Sequence, residues 1–121
     1  MALKMRRNHA PQPPGECALT LCMGMIGGAW TVNVIWCLRA GPRRFSELRA
    51  DIPPISAKVL TARLRELEEN GVVSRLVKPT SPPSVEYSLT DLGAELVPAI
   101  DSIVSVGHRL KSIRSGRESA V

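Results

Sequence analysis

The sequence predicts a mainly α-helical domain that carries one small β-hairpin, and three observations predict it. A chain of 121 residues with 44% apolar and 22% charged residues lies near the globular average and can bury one core but hardly two. Apolar residues recur at helical spacing from Trp30 to Leu67 and again after Thr90, the mark of helices with one covered face. Between these stretches, residues 72–78 form a short β-branched run, and Val85, Tyr87 and Leu89 alternate with Glu86, Ser88 and Thr90, the period of a strand pair.

The elements follow in order. Residues 1–15 hold Lys4, Arg6, Arg7 and three prolines, with too few apolar groups to offset the entropy of ordering them, so a flexible basic arm is expected. Residues 17–38 contain 22 positions without a charge; as one helix they would reach about 33 Å, enough to cross a bilayer. Gly27-Gly28 would break such a helix, and Thr20, Thr31 and Asn33 dilute it, so two short buried helices and no membrane span are expected. The basic start of the chain is separated from this run by Pro11, Pro13, Pro14 and Glu16, unlike a signal peptide. Trp30, Val34, Ile35 and Leu38 share a helix face, and Gly41-Pro42 stops that helix.

Phe45 and Leu48 lie three apart on a short helix ended by Pro53-Pro54. Ser56 suits an N-cap and Ile55 can staple onto Leu60, so the next helix starts at Ala57; it runs to Glu69, where Asn70-Gly71 stops it. The hairpin follows, joined by a connection at 79–84 that is too long and proline-rich for a tight turn. Thr90 can cap a last helix on which Leu92, Leu96, Ile100, Ile103 and Leu110 form one apolar stripe, with a bend at Pro98. Residues 112–121 are polar and aperiodic, so a fraying tail is expected and the folded domain is placed at 16–111.

Sixteen basic against eleven acidic residues leave +5, which suits a polyanionic partner, nucleic acid or anionic lipid, without choosing between them. Cys17, Cys22 and Cys37 are an odd number in an apolar stretch, a poor disulfide framework and more in keeping with the cytoplasm. Trp30, Trp36, Phe45 and Tyr87 are the only aromatic residues, too few for a surface that stacks single-stranded bases. His9 and His108 lie at opposite ends, and neither a metal site nor a cofactor site is readable. No nucleophile-and-base spacing or phosphate-cradling glycine loop is present, so the chain is read as a non-enzyme.

Helix, helix, helix, hairpin, helix is the order of a winged helix-turn-helix with an added C-terminal helix. Over about residues 17 to 107 the chain resembles the HxlR-type regulators, a branch related to MarR proteins. The resemblance rests on Gly27-Gly28-Ala29-Trp30-Thr31, on Gly41-Pro42-Arg43-Arg44-Phe45-Ser46-Glu47-Leu48 and on Ile55-Ser56-Ala57-Lys58-Val59-Leu60-Thr61-Ala62-Arg63-Leu64-Arg65-Glu66-Leu67-Glu68. It continues through Gly71-Val72-Val73-Ser74-Arg75 and Pro82-Pro83-Ser84-Val85-Glu86-Tyr87-Ser88-Leu89-Thr90-Asp91-Leu92-Gly93. It implies a transcriptional regulator, a repressor or autoregulator, that binds double-stranded DNA at a roughly palindromic operator. It also implies a homodimer built through the N- and C-terminal helices, with Leu21, Ile100, Ile103 and Leu110 at the interface.

At 100° per residue, Leu60, Leu64 and Leu67 fall on one side of the 57–69 helix, while Lys58, Thr61, Ala62 and Arg65 fall on the other. Long donors separated by small residues are what a helix entering the major groove needs. Ser56 can offer a phosphate its backbone N–H and hydroxyl at the positive helix end. Arg63 lies beside the leucines and suits a brace to a carboxylate as well as a DNA contact. Arg43 and Arg44 open the preceding helix, which in such folds crosses the DNA backbone, and at least one of them is expected to hold a phosphate, a surface pair with Glu47 or Asp51 being the alternative. In the wing, the family commonly has an aromatic residue at Lys78, an acid at Thr80 and an arginine at Ser84, so contacts are expected to be redistributed among Lys78, Thr80, Ser81 and Ser84.

The resemblance implies one further role. Some members respond to oxidants through a cysteine just before the first helix, where this chain has Cys17, followed by Ala18 in place of the usual proline. The nearby Glu16 would raise the pKa of that thiol, and the alternatives are a small ligand in the dimer cleft or no ligand at all. Val106 stands where a tryptophan is common. A rival to DNA reading is a winged helix that contacts another protein, its basic groups serving solubility.

Overall fold

The computed structural model describes residues 17–119; the basic arm expected over 1–15 lies outside the described residues. The elements are α1 (Ala18–Ile26), α2 (Thr31–Leu38), β1 (Arg43–Arg44), α3 (Phe45–Asp51), α4 (Ala57–Glu69), β2 (Val73–Lys78), β3 (Ser84–Leu89) and α5 (Asp91–Ser119). The uncharged run is two helices bent by 78° at the Gly27–Trp30 break, and among the described residues no single helix is long and apolar enough to cross a membrane.

One core organises the domain. Val34, Ile35 and Leu38 of α2, Leu48 of α3, Leu60, Leu64 and Leu67 of α4 and Ile100 of α5 are all buried together. The leucines of α4 therefore face inward as their spacing requires, and α4 is held from behind. Ser56 caps it, its Oγ accepting the Val59 N–H at 3.1 Å. Gly71 ends it at φ 75°, the left-handed conformation that a helix stop demands and glycine adopts without strain.

The hairpin register pairs Val73 with Leu89 and Lys78 with Ser84. Arg43 and Arg44 stand just before α3, with Arg44 as its N-cap, rather than within its first turn. They form β1, which pairs with Tyr87 and Glu86 and makes a three-stranded antiparallel sheet in the order β1-β3-β2. β3 has a free edge on its far side, and a two-residue extended segment satisfies its backbone groups.

Three other expectations are corrected. α1 has no buried residue; Leu19, Leu21 and Met23 are exposed, because the core is already closed by α2, α4 and α5. The apolar residues of α5 form two stripes: Leu96, Val97, Ile100 and Val104 pack on the core, while Ile103, Val106, Leu110 and Ile113 face outward. Ile100, expected at a subunit interface, is thus a core residue, 3% exposed. Finally, the chain does not lose its helix at residue 112, since α5 continues to Ser119; adding a residue to a helix already nucleated costs far less than starting one.

Candidate nucleic-acid interface

Lys58, Thr61, Ala62 and Arg65 are brought together with Ala57 around an open trough of about 420 Å³ on the outer face of α4. Lys58, Thr61 and Arg65 are exposed and Ala62 is half-buried. Thr61 donates its hydroxyl to the Ala57 carbonyl at 2.7 Å, which leaves its methyl and an acceptor lone pair facing outward. Glu69 lies one turn along from Arg65, yet no ion pair joins them.

A second concavity of about 240 Å³ continues from α4 to the sheet, lined by Thr61, Leu64, Arg65, Glu68, Arg75 and Tyr87. Arg75 was missed by sequence reasoning. The hairpin register sets it opposite Tyr87, and the strand period alone would have placed it on the α4 side of β2.

Internal ion pairs sort the remaining cations. Arg43 is held by Asp51 at 3.1 Å and Glu47 at 3.5 Å. Lys78 is held by Glu86 at 2.9 Å. Arg63 is held by Glu66 at 2.8 Å, and its Nε donates to the Ala29 carbonyl at 2.9 Å. Among the described residues, the other basic residues of 43–78, namely Arg44, Arg49, Lys58, Arg65 and Arg75, enter no ion pair. Arg44 caps the start of α3, where its backbone N–H donates to Glu47 at 2.9 Å, so its side chain stays exposed. In the wing, Thr80 turns its hydroxyl inward to the Pro82 carbonyl at 2.7 Å. Ser81 is exposed at the tip, and Ser84 is half-buried at the start of β3. The wing therefore offers less free charge than the sequence suggested.

Charge is polarised along the chain. Residues 43–78 hold eight basic and five acidic side chains, net +3, whereas 79–108 hold four acidic and no Lys or Arg. Lys58, Arg65 and Arg75 gather on one side, backed by a rigid leucine row.

Cys17 stands at the N-cap of α1. The backbone N–H groups of Thr20 and Leu19, together with the Thr20 hydroxyl, hold its thiol pKa below the ordinary value; this opposes the rise expected from Glu16, which lies outside the described residues. Burial, reinforced by the Asp51 carboxylate, pushes the Cys37 thiol up. Among the described residues, no group of His, Cys, Asp and Glu could hold a metal ion.

The model of the HxlR-like helix-turn-helix family matches residues 25–114. The chain belongs to the HxlR family. An uncharacterized HTH-type transcriptional regulator of Methanothermobacter thermautotrophicus is 41% identical over 91 residues, 75% of this chain and 70% of the relative. The HTH-type regulator YkvN of Bacillus subtilis is 43% identical over 92 residues, 76% of this chain and 78% of the relative. Among solved structures, the redox regulator HypR in its oxidized form superposes with a TM-score of 0.74 at 38% identity, over 77% of this chain and 96% of that one. This HxlR-family protein is thus a transcriptional regulator of the helix-turn-helix type, from a family of DNA-binding regulators and not of enzymes. Its helices and three-stranded sheet are those of the winged helix-turn-helix.

Proposed function

We propose that this protein binds a roughly palindromic DNA operator as a homodimer and represses transcription, its own included. The observation that carries this is the outer face of α4, where unpaired Lys58 and Arg65 flank Thr61 and Ala62 over a fixed leucine row. Small residues between long donors allow a helix to approach the floor of the major groove. Arg44 at the start of α3 is the backbone contact from the preceding helix, Ser56 adds an N-cap contact to phosphate, and Arg75 extends the positive surface toward the wing. Lys78, Thr80, Ser81 and Ser84 contribute a weaker wing contact, since Lys78 must leave Glu86 to reach a phosphate.

Dimerisation covers the apolar surface left open on one chain: Leu21 on α1, 49% exposed, and Ile103 and Leu110 on α5, each 55% exposed. Spacings of three, four and three between Ile103, Val106, Leu110 and Ile113 suit a helix packed along a helix. Two-fold symmetry would set the two α4 helices about one DNA turn apart.

Oxidation of Cys17 supplies the control. A thiol at a helix start, with a lowered pKa and partial exposure, is more thiolate-like than an ordinary cysteine, and the similar HypR is a redox regulator. A small ligand in the dimer cleft is the competing effector. The test is footprinting of the purified protein on its own upstream region, with and without a thiol oxidant, alongside titration against competitor DNA. A protected palindrome that is lost on oxidation supports the whole reading; uniform, salt-sensitive binding with no preferred site would leave a winged helix that contacts protein.

A further inference from the structure

We propose that Arg63 is a positioning residue: it ties α4 to the turn between α1 and α2, and so fixes the angle at which each protomer presents its reading helix to a half-site. This rests on the DNA-binding reading above. Arg63 lies about 140° around α4 from Lys58, behind the reading face, and its side chain is only 23% exposed. Its Nε donates to the Ala29 carbonyl, 34 positions away in sequence, at 2.9 Å. One terminal nitrogen donates to both oxygens of Glu66, at 2.9 and 2.8 Å. A planar guanidinium gripped by a carboxylate on its own helix has little freedom left, so its bond to Ala29 works as a strut.

The far end of that strut is stiff. The Gly27 N–H donates to the Met23 carbonyl at 2.7 Å, and the hydroxyl of Thr31, itself buried, donates to the Gly27 carbonyl at 3.2 Å. Gly28 has φ 108°, and a Cβ there would sit 3.6 Å from the Arg63 guanidinium and 3.3 Å from Thr31 Oγ1. The backbone therefore passes flat against the arginine. Trp30 has φ 71°, a left-handed conformation that bulky residues avoid unless their surroundings impose it. Among the described residues, Arg63 is the side chain of α4 that hydrogen-bonds this turn. α1 has no fully buried residue and rests on the core through half-buried Met25 and Ile26; apolar contact of that kind lets a helix slide, whereas the Arg63–Ala29 bond adds a directional tie between α4 and the turn.

Geometry sets the consequence. A 13-residue helix is about 20 Å long, so a tilt of ~10° moves its far end by about 3.5 Å, close to the rise of one base pair (~3.4 Å). A dimer whose reading helices can tilt by that much no longer distinguishes half-sites one base pair too near or too far.

The experiment measures affinity of the full chain for duplexes with the selected half-site spacing, for duplexes with that spacing changed by one or two base pairs, and for a single half-site, each across a salt series. Arg63→Ala is expected to cut the preference for the selected spacing about tenfold while leaving half-site affinity and the salt slope unchanged. Arg63→Lys, which keeps a donor for Ala29, should retain most of the preference. Glu66→Gln, which loosens the guanidinium without removing it, should lose about threefold, and it decides the matter if Arg63→Ala does not fold. An unchanged spacing profile in the folded variants overturns the proposal. So does a loss of half-site affinity with a smaller salt slope, which would make Arg63 a phosphate contact. Absence of any preferred operator in the wild-type protein would remove the DNA-reading claim first, and this proposal with it.

Discussion

Arg65→Ala separates base reading from general attraction to DNA. Arg65 is exposed, lines both the α4 trough and the cleft toward β2, and has no internal ion partner. Its removal should therefore change folding stability by no more than ~0.5 kcal/mol, as for other unpartnered surface positions. If it reads a base, each half-site loses about 1–3 kcal/mol. Two half-sites then lose about 2–6 kcal/mol, a drop of roughly 30-fold to more than 10,000-fold in specific affinity. Non-specific affinity and the salt slope stay nearly constant. If it neutralises a phosphate instead, binding weakens on every sequence and the slope shrinks by about 0.9 per protomer. Fluorescence anisotropy with operator and scrambled duplexes, at several salt concentrations, resolves the two. Specific affinity within twofold of wild type would refute the placement of the reading face on this side of α4.

Arg44 and Arg43 are adjacent but unequal: Arg44→Ala should reduce the magnitude of the log-log salt slope by about 0.9 per protomer, whereas Arg43→Ala, whose guanidinium is already held by Asp51 and Glu47, should leave it unchanged in the same titration. Leu64→Ala empties a position in the leucine row that is only 2% exposed and should destabilise the fold by about 2–5 kcal/mol, read as a lower urea midpoint. Cysteine alkylation should depend on pH in opposite senses at two sites. With its pKa lowered, Cys17 carries more thiolate at neutral pH and its reaction with iodoacetamide should level off at a lower pH than for an ordinary thiol; Cys37, with its pKa raised, should remain slow until the solution is more alkaline. Peptide mapping after timed alkylation checks both, and equal rates would contradict the assigned environments.

Local signals carried most of the fold. Ser56, the leucines of α4 and Asn70-Gly71 mark the start, the inner face and the end of that helix, because a cap, a period and a stop are each written in neighbouring residues. What escaped depends on distant partners. Arg43-Arg44 became a strand because β3, more than forty positions on, needed a neighbour. α5 divided into an inner and an outer stripe because α2 covers only part of it, which moved Ile100 from a subunit surface to the core. The face of α4 was legible for the same reason as the helix itself. The inequality among cations was legible only in part: Glu47 and Asp51 are near enough in sequence to offer themselves to either arginine, but that Arg43 alone is held, and that Glu86 holds Lys78, depends on the folded chain. Arg75 escaped although the strand period puts it on the same face as the buried Val73; that this face meets the outer part of α4 is settled only by the fold.

Nine residues make α1, fewer than the ~12–15 that an isolated helix needs to persist in water. With no fully buried side chain, and only Met25 and Ile26 at its last turn half-buried against the core, the amide hydrogens of its earlier turns should exchange with deuterated solvent almost as fast as those of an unfolded peptide when the protein is very dilute. Their slowing as concentration rises would serve as a built-in meter of association, and it would shift before any signal from the leucine core.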